Sequence, residues 1–234
     1  YKTLVMNKLT ALALLLMMSD IALAQRLEEQ TIPWKFGQEI TLNLKYAQEI
    51  QIKTWDKPEV SLQVRISINN DELNDSWSSM TTTTDDRIQV SSDIDFPDGN
   101  YCGDCSGRNY STNNRSMCSQ IEYSIFVPSS AALQVETLSG NMTIQGVTSP
   151  LYAKSLSGFV DVDWLAQQGA TVSMKSTTGE VYTNLDLLID ESDSEKNRRS
   201  PVGWEIEATA AGGGSKVELE SISNDVYFRQ AKPS

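Results

Sequence analysis

The chain has 234 residues, with 31 acidic against 19 basic side chains and no histidine. A formal charge of −12 repels phosphate backbones, so no nucleic-acid partner is expected. The lack of histidine removes the commonest metal ligand and the usual general base at neutral pH.

Residues 1–24 read as a secretory signal. Lys8 follows Met6 as the positive start, Leu9 to Met18 is an apolar run, and Ala22-Leu23-Ala24 is a small-residue cleavage site. The run is too short for a stable membrane span. Cleavage is predicted before Gln25, giving an exported protein of the periplasm or cell surface with no transmembrane segment in its mature part. Removing Lys2, Lys8 and Asp20 leaves 17 basic and 30 acidic residues, a charge of −13.

Residues 25–127 read as a β region with two long polar loops. The clearest strand runs from Val60 to Ile68, where apolar and polar residues alternate. Ile40, Leu42 and Leu44 alternate likewise, as do Ile50 and Ile52, Ile88 and Val90, and Ile121 through Val127. Asn69 to Asp85 and Ser92 to Ser119 read as exposed loops, rich in Asn, Ser, Thr and Asp.

Residues 128–234 carry a repeat. TLSGNM starts at Thr137, SLSGFV at Ser155, STTGEV at Ser176 and SISNDV at Ser221. Paired apolar residues at period two flank each phrase, so each pair faces inward. This pattern predicts stacked coils of parallel strands, forming one continuous domain with residues 25–127. Gly140, Gly158, Gly179 and Asn224 are the predicted turn residues, stacked in one column and tolerating positive φ. Residues 186–201 read as a charged insertion, and Arg229 to Ser234 as a polar end to the stack.

Several phrases resemble a bacterial family of adhesin-like envelope proteins of unknown function. They are PSSAALQVETLSGNMTIQG from Pro128, YAKSLSGFVDV from Tyr152, VSMKSTTGEVYTNL from Val172 and KVELESISNDVYF from Lys216; TWDKPEVSLQV from Thr54 is similar to an early strand pair. The resemblance implies an all-β protein. Its C-terminal half would be a right-handed, single-stranded parallel β-helix, with earlier strands extending or capping the stack. It implies a non-enzymatic binding or scaffolding role, with an envelope protein or a glycan as partner.

Four chemical possibilities stand beside that reading. Cys102, Cys105 and Cys118 fit one disulfide with one cysteine left over; a redox C-x-x-C or a metal site on the same loop is the alternative. Asp93, Asp95, Asp98, Gly99 and Asp104 loosely echo a calcium loop, but the spacing is one residue too long and no Glu closes it. Asp161 and Asp163 point outward from one strand, the arrangement a polysaccharide-acting enzyme would need. Glu180, Glu205, Glu207, Glu218 and Glu220 share that outward parity, which solubility alone explains. Tyr152, Phe159, Trp164 and Tyr182 are the expected outward contacts. No phosphate loop, dinucleotide fingerprint or nucleophile elbow occurs, so neither a cofactor nor a catalytic residue is expected.

Overall fold

A computed structural model describes residues 25–96, 107–112, 115–189, 199–200 and 203–231. These residues form strands and one short 3-10 turn, Asn74–Ser76, with no α-helix among them. The strands make two open, mixed sheets, parallel through the middle and antiparallel at three of their four ends.

Pairs of consecutive strands pass from one sheet to the other. They are β2 (Glu39–Leu44) with β3 (Glu49–Trp55), β9 (Leu133–Thr137) with β10 (Asn141–Gln145), and β11 (Leu151–Ser155) with β12 (Val160–Trp164). β13 (Ala170–Ser176) with β14 (Val181–Thr183) and β18 (Ser215–Ser221) with β19 (Val226–Gln230) do the same. So do β6 (Arg87–Ile94) and β8 (Arg115–Pro128), with β7 (Arg108–Thr112) between them. Sheet A holds β8, β3, β10, β12, β19 and β14 in that spatial order; sheet B holds β6, β2, β9, β11, β18 and β13.

The spatial order therefore exchanges neighbours at both ends. The β6/β8 pair lies outside β2/β3, although β2 and β3 come first in the chain. The final pair, β18/β19, lies inside, between β11/β12 and β13/β14. The expected polar end at Arg229 is corrected by this: Arg229 and Gln230 belong to β19, whose neighbours are β12 and β14.

Register turns alternation into apolar ladders. On sheet B, Ile88, Ile40, Leu133, Leu151, Val217 and Val172 stand side by side. On sheet A, Ile125, Ile52, Ile144, Val162 and Phe228 do so. All of these are buried between the sheets. Each such side chain contributes about 1.5–3 kcal/mol on burial, so a one-residue slip would expose a whole row.

Antiparallel strands cover three of the four sheet ends, and β14, parallel to β19, stands at the fourth. β4 (Glu59–Ile68) pairs with β8, and β1 (Arg26–Pro33) with β4. β5 (Trp77–Thr83) covers β6. At the other end β17 (Gly203–Ala210) pairs with β13, and β15 (Leu187–Ile189) and β16 (Arg199–Ser200) with β17. Beneath β5, the Trp77 indole donates to the Tyr123 hydroxyl at 3.3 Å, which donates to Ser92 Oγ at 2.8 Å.

Two expected loops are shorter than their composition suggests. Asn69, Asn70 and Asp71 turn with φ of 49°, 55° and 75°, and the chain then forms β5. β5 buries only Trp77, so its three threonines carry no alternating signal. The Ser92–Ser119 stretch likewise holds β7 and the start of β8. β15 and β16 lie within the 186–201 insertion.

Candidate binding face

The repeated phrase works through its first residue as much as its glycine. Thr137, Ser155, Ser221 and Ser176 are buried, and each accepts the N–H three residues on, from Gly140, Gly158, Asn224 and Gly179. Each also donates to a carbonyl of the neighbouring strand pair: Leu44, Gly140, Gly158 and Asn224, at 2.6, 2.9, 2.9 and 2.7 Å. The four turns stand in register, in the spatial order Gly140, Gly158, Asn224, Gly179.

The expected reason for the glycines is corrected. None of Gly140, Gly158, Gly179 or Asn224 has positive φ. A Cβ on Gly158 would lie 2.0 Å from the Gly140 carbonyl oxygen, and one on Gly179 would lie 2.4 Å from the Asn224 carbonyl carbon. Close approach of one turn to the next, not backbone sign, selects glycine there.

This register sets the outer face of sheet A as a grid. Thr143, Asp161, Tyr227 and Tyr182 form one row. Gln145, Asp163 and Arg229 form the next. The Tyr182 and Tyr227 rings stack at 5.1 Å with 12° between planes, and Phe159 meets Tyr227 edge-on at 6.2 Å. Tyr182 is 44% exposed. Its hydroxyl donates to Glu180 and that of Tyr227 to Asp225. The Glu180 carboxylate raises the Tyr182 phenol pKa; burial first, then Asp225, raises that of Tyr227.

Beside the rings lies a groove of about 460 Å³, lined by Gln145, Asp163, Asn184, Arg229 and Gln230. Arg229 grips both oxygens of Asp161, with Nε at 2.8 Å from Oδ1. Burial still raises the Asp161 carboxyl pKa, against the pull of Arg229. Gln145 Nε2 donates to Asp163 Oδ2 at 2.7 Å, and Asn184 Oδ1 accepts the Gln230 N–H at 2.7 Å.

The structure thus brings Phe159 and Tyr182 together and separates the other two expected contacts. Tyr152 lies on sheet B, with Lys154, Glu136, Glu218 and Glu220 around it, and burial raises its phenol pKa. Trp164 is corrected: it is 1% exposed and packs on Phe228. It shares the parity of Val160 and Val162, which period two places inside. Tyr227 was not among the expected contacts. Its signal is the phrase itself, since Tyr227 follows Asn224 as Tyr182 follows Gly179.

Among the described residues no group of three or more Asp, Glu or Cys is placed to hold a metal. Asp93 pairs with Lys45, and the Asp95 N–H donates to the Ser76 carbonyl; Asp98, Gly99 and Asp104 lie outside the described residues. Cys118 is buried on β8, whereas Cys102 and Cys105 lie outside the described residues. The expected signal, residues 1–24, lies outside them too, and no described helix is long and apolar enough to cross a membrane.

No protein-family model matches the chain, and no curated protein does. The fold is similar to the crystal structure of a "putative cell adhesion protein" from Clostridium sporogenes. That likeness has a TM-score of 0.55 at 13% identity and covers 88% of this chain and 99% of that one. A "putative adhesin" from Bacteroides fragilis gives a TM-score of 0.31 at 11% identity, covering 88% of this chain and 98% of that one.

Proposed function

We propose that this chain is an exported, non-enzymatic envelope protein with an adhesin-like role, binding its partner through the outer face of sheet A. The observation that carries the reading is the exposed Tyr182–Tyr227 stack with Phe159 at its edge. Aromatic rings turned to solvent on a face fixed by stacked coils make a rigid contact surface, with little side-chain entropy left to lose. The likeness in fold to the Clostridium protein, whose name refers to cell adhesion, agrees with this role. We read the alternating strand pairs as coils of a short right-handed parallel β-helix, with strand-covered ends.

Adhesion is measured directly by coating beads with the purified exported protein and counting those retained on bacterial and host-cell surfaces. Retention on at least one surface is expected, falling at least tenfold in the Tyr182→Ser/Tyr227→Ser variant. Tyr152→Ser, on the opposite sheet, leaves retention unchanged. Equal retention of wild type and the double variant would refute the assignment to this face.

A further inference from the structure

We propose that the outer face of sheet A takes a neutral glycan, an inference that rests on reading this face as a binding surface. Three features on the face choose that chemistry together.

The first is what the rings offer. The Tyr182 hydroxyl is spent on Glu180 at 3.0 Å and the Tyr227 hydroxyl on Asp225 at 2.9 Å. What the pair presents is therefore mainly carbon. An aromatic face is the negative end of a quadrupole. The C–H face of a pyranose ring, flat and weakly positive, complements it in shape and sign.

The second is the neighbouring row. Gln145, Asp163 and Arg229 stand two residues along the strands from Thr143, Asp161 and Tyr227, about 7 Å away. A sugar seated on the rings reaches that row with its hydroxyls. The groove there, about 460 Å³, lies within the usual range of small-ligand sites. Its polar groups are held in place before any ligand arrives. Gln145 is tied to Asp163, and Asn184 spends its oxygen on the Gln230 N–H, so Asn184 offers its amide NH2. Fixed amide donors beside a carboxylate acceptor suit adjacent hydroxyls, which donate and accept at once.

The third is charge. Arg229 is the cation lining this groove among the described residues, and both oxygens of Asp161 already occupy it. Asp163, Asp225 and Glu180 surround the rest of the face. A uronate, sialate or phosphate group would meet Asp163, Asp225 and Glu180 against one neighbouring cation, Lys53, on the far side of Gln145, so repulsion outweighs attraction on a chain of net charge −12. The face selects against acidic sugars and accepts uncharged ones.

The test is isothermal titration of the exported protein with laminarin, mannan, galactan and, for comparison, polygalacturonate. Binding to at least one of the three neutral polymers is expected, with affinity changing less than threefold between 50 and 500 mM salt. Tyr182→Ser and Asn184→Ala should each weaken it at least tenfold. Circular dichroism melts identify any variant that fails to fold, and Asn184→Ala, at an exposed position, is chosen to keep the fold. Binding of polygalacturonate alone overturns the inference. So does bead retention that survives periodate but not protease treatment of the target surface. That result assigns a protein partner and leaves the binding face standing. Absence of both bead retention and glycan binding in the wild-type protein rejects the face itself.

Discussion

The Ser155 hydroxyl donates to the Gly140 carbonyl at 2.9 Å while accepting the Gly158 N–H at 2.8 Å. One side chain thus closes its own turn and fastens it to the turn beneath. Ser155→Ala leaves both backbone groups buried without that partner. The expected loss is about 1–3 kcal/mol. Thr178→Ala, whose hydroxyl is exposed, should stay within about 0.5 kcal/mol. Urea unfolding of the two variants checks the contrast.

Gly158 and Gly140 occupy equivalent turns but tolerate a methyl group differently. At Gly158 the added Cβ meets backbone, the Gly140 oxygen at 2.0 Å. At Gly140 it meets the Ala47 Cβ at 3.0 Å, a contact that a shift of a few tenths of an ångström relieves. Gly158→Ala should therefore cost about 3 kcal/mol or more, and Gly140→Ala about 1 kcal/mol. Equal midpoints in urea would count against close packing of the coils as the cause.

Tyr123 makes stability sensitive to alkali. Burial pushes its phenol up to about 12, more than the hydrogen bonds to Ser92 and Trp77 pull it back. An unfolded tyrosine loses its proton near pH 10. The folded pKa is raised, so this contribution is complete below about pH 10 and is lost as pH rises through 12. Two units correspond to about 2–3 kcal/mol. Tyr123→Phe should be less stable at pH 7 yet lose less between pH 10 and 12. Chemical denaturation at pH 8, 10 and 12 provides the comparison, and parallel curves for the two proteins would remove Tyr123 as the source.

A bridge from Cys118 to Cys102 or Cys105 is expected from the sequence, and the fold around Cys118 favours Cys105. Cys118 is buried on β8 and faces Asn109 of β7 in register. A Cβ on Gly107 would lie 2.5 Å from the Ser119 carbonyl oxygen, so the chain passes close to Cys118 there. Cys105 precedes Gly107 by two residues, a tether of about 7 Å, whereas Cys102 is five residues away. Closing this loop is worth about 2–4 kcal/mol. Peptide mapping without reductant, after thiol alkylation, should recover Cys105 joined to Cys118 and Cys102 alkylated. Three alkylated cysteines would sink the pairing.

Alternation made the strands legible wherever one face is buried. Val60 to Ile68 is the clearest case, and β4 covers it. β5 escaped because an edge strand exposed along most of its length needs no alternation. Trp164 shows the opposite failure: its parity with Val160 and Val162 places it and its indole nitrogen inside, against the outward contact expected of it. That nitrogen is satisfied inside, donating to the Gln168 carbonyl at 3.0 Å. The exchanged coil order was not readable at all. Leu151 and Ala153 of β11 would accept Val172 and Met174 of β13 as readily as Val217 and Leu219 of β18, because apolar pairs of similar size carry no address. For the binding face, carboxylates and two of its aromatics were visible as outward positions. Their meeting with Tyr227 depended on that hidden order.

The place of β18 and β19 bears on when the protein can form. β18 is the shared neighbour of β11 and β13, and β19 of β12 and β14. Both strands follow β11 to β14 in the chain and so leave the ribosome after them. They are delivered through a turn, Ala211 to Gly214, in which every residue has positive φ. Until they arrive, β11 and β13 have no strand to share and the ladders stop halfway. The Tyr182–Tyr227 stack is incomplete for the same interval. Synthesis order therefore acts as a clock: the two ladders stay open until β18 and β19 emerge and join β11 to β13 and β12 to β14.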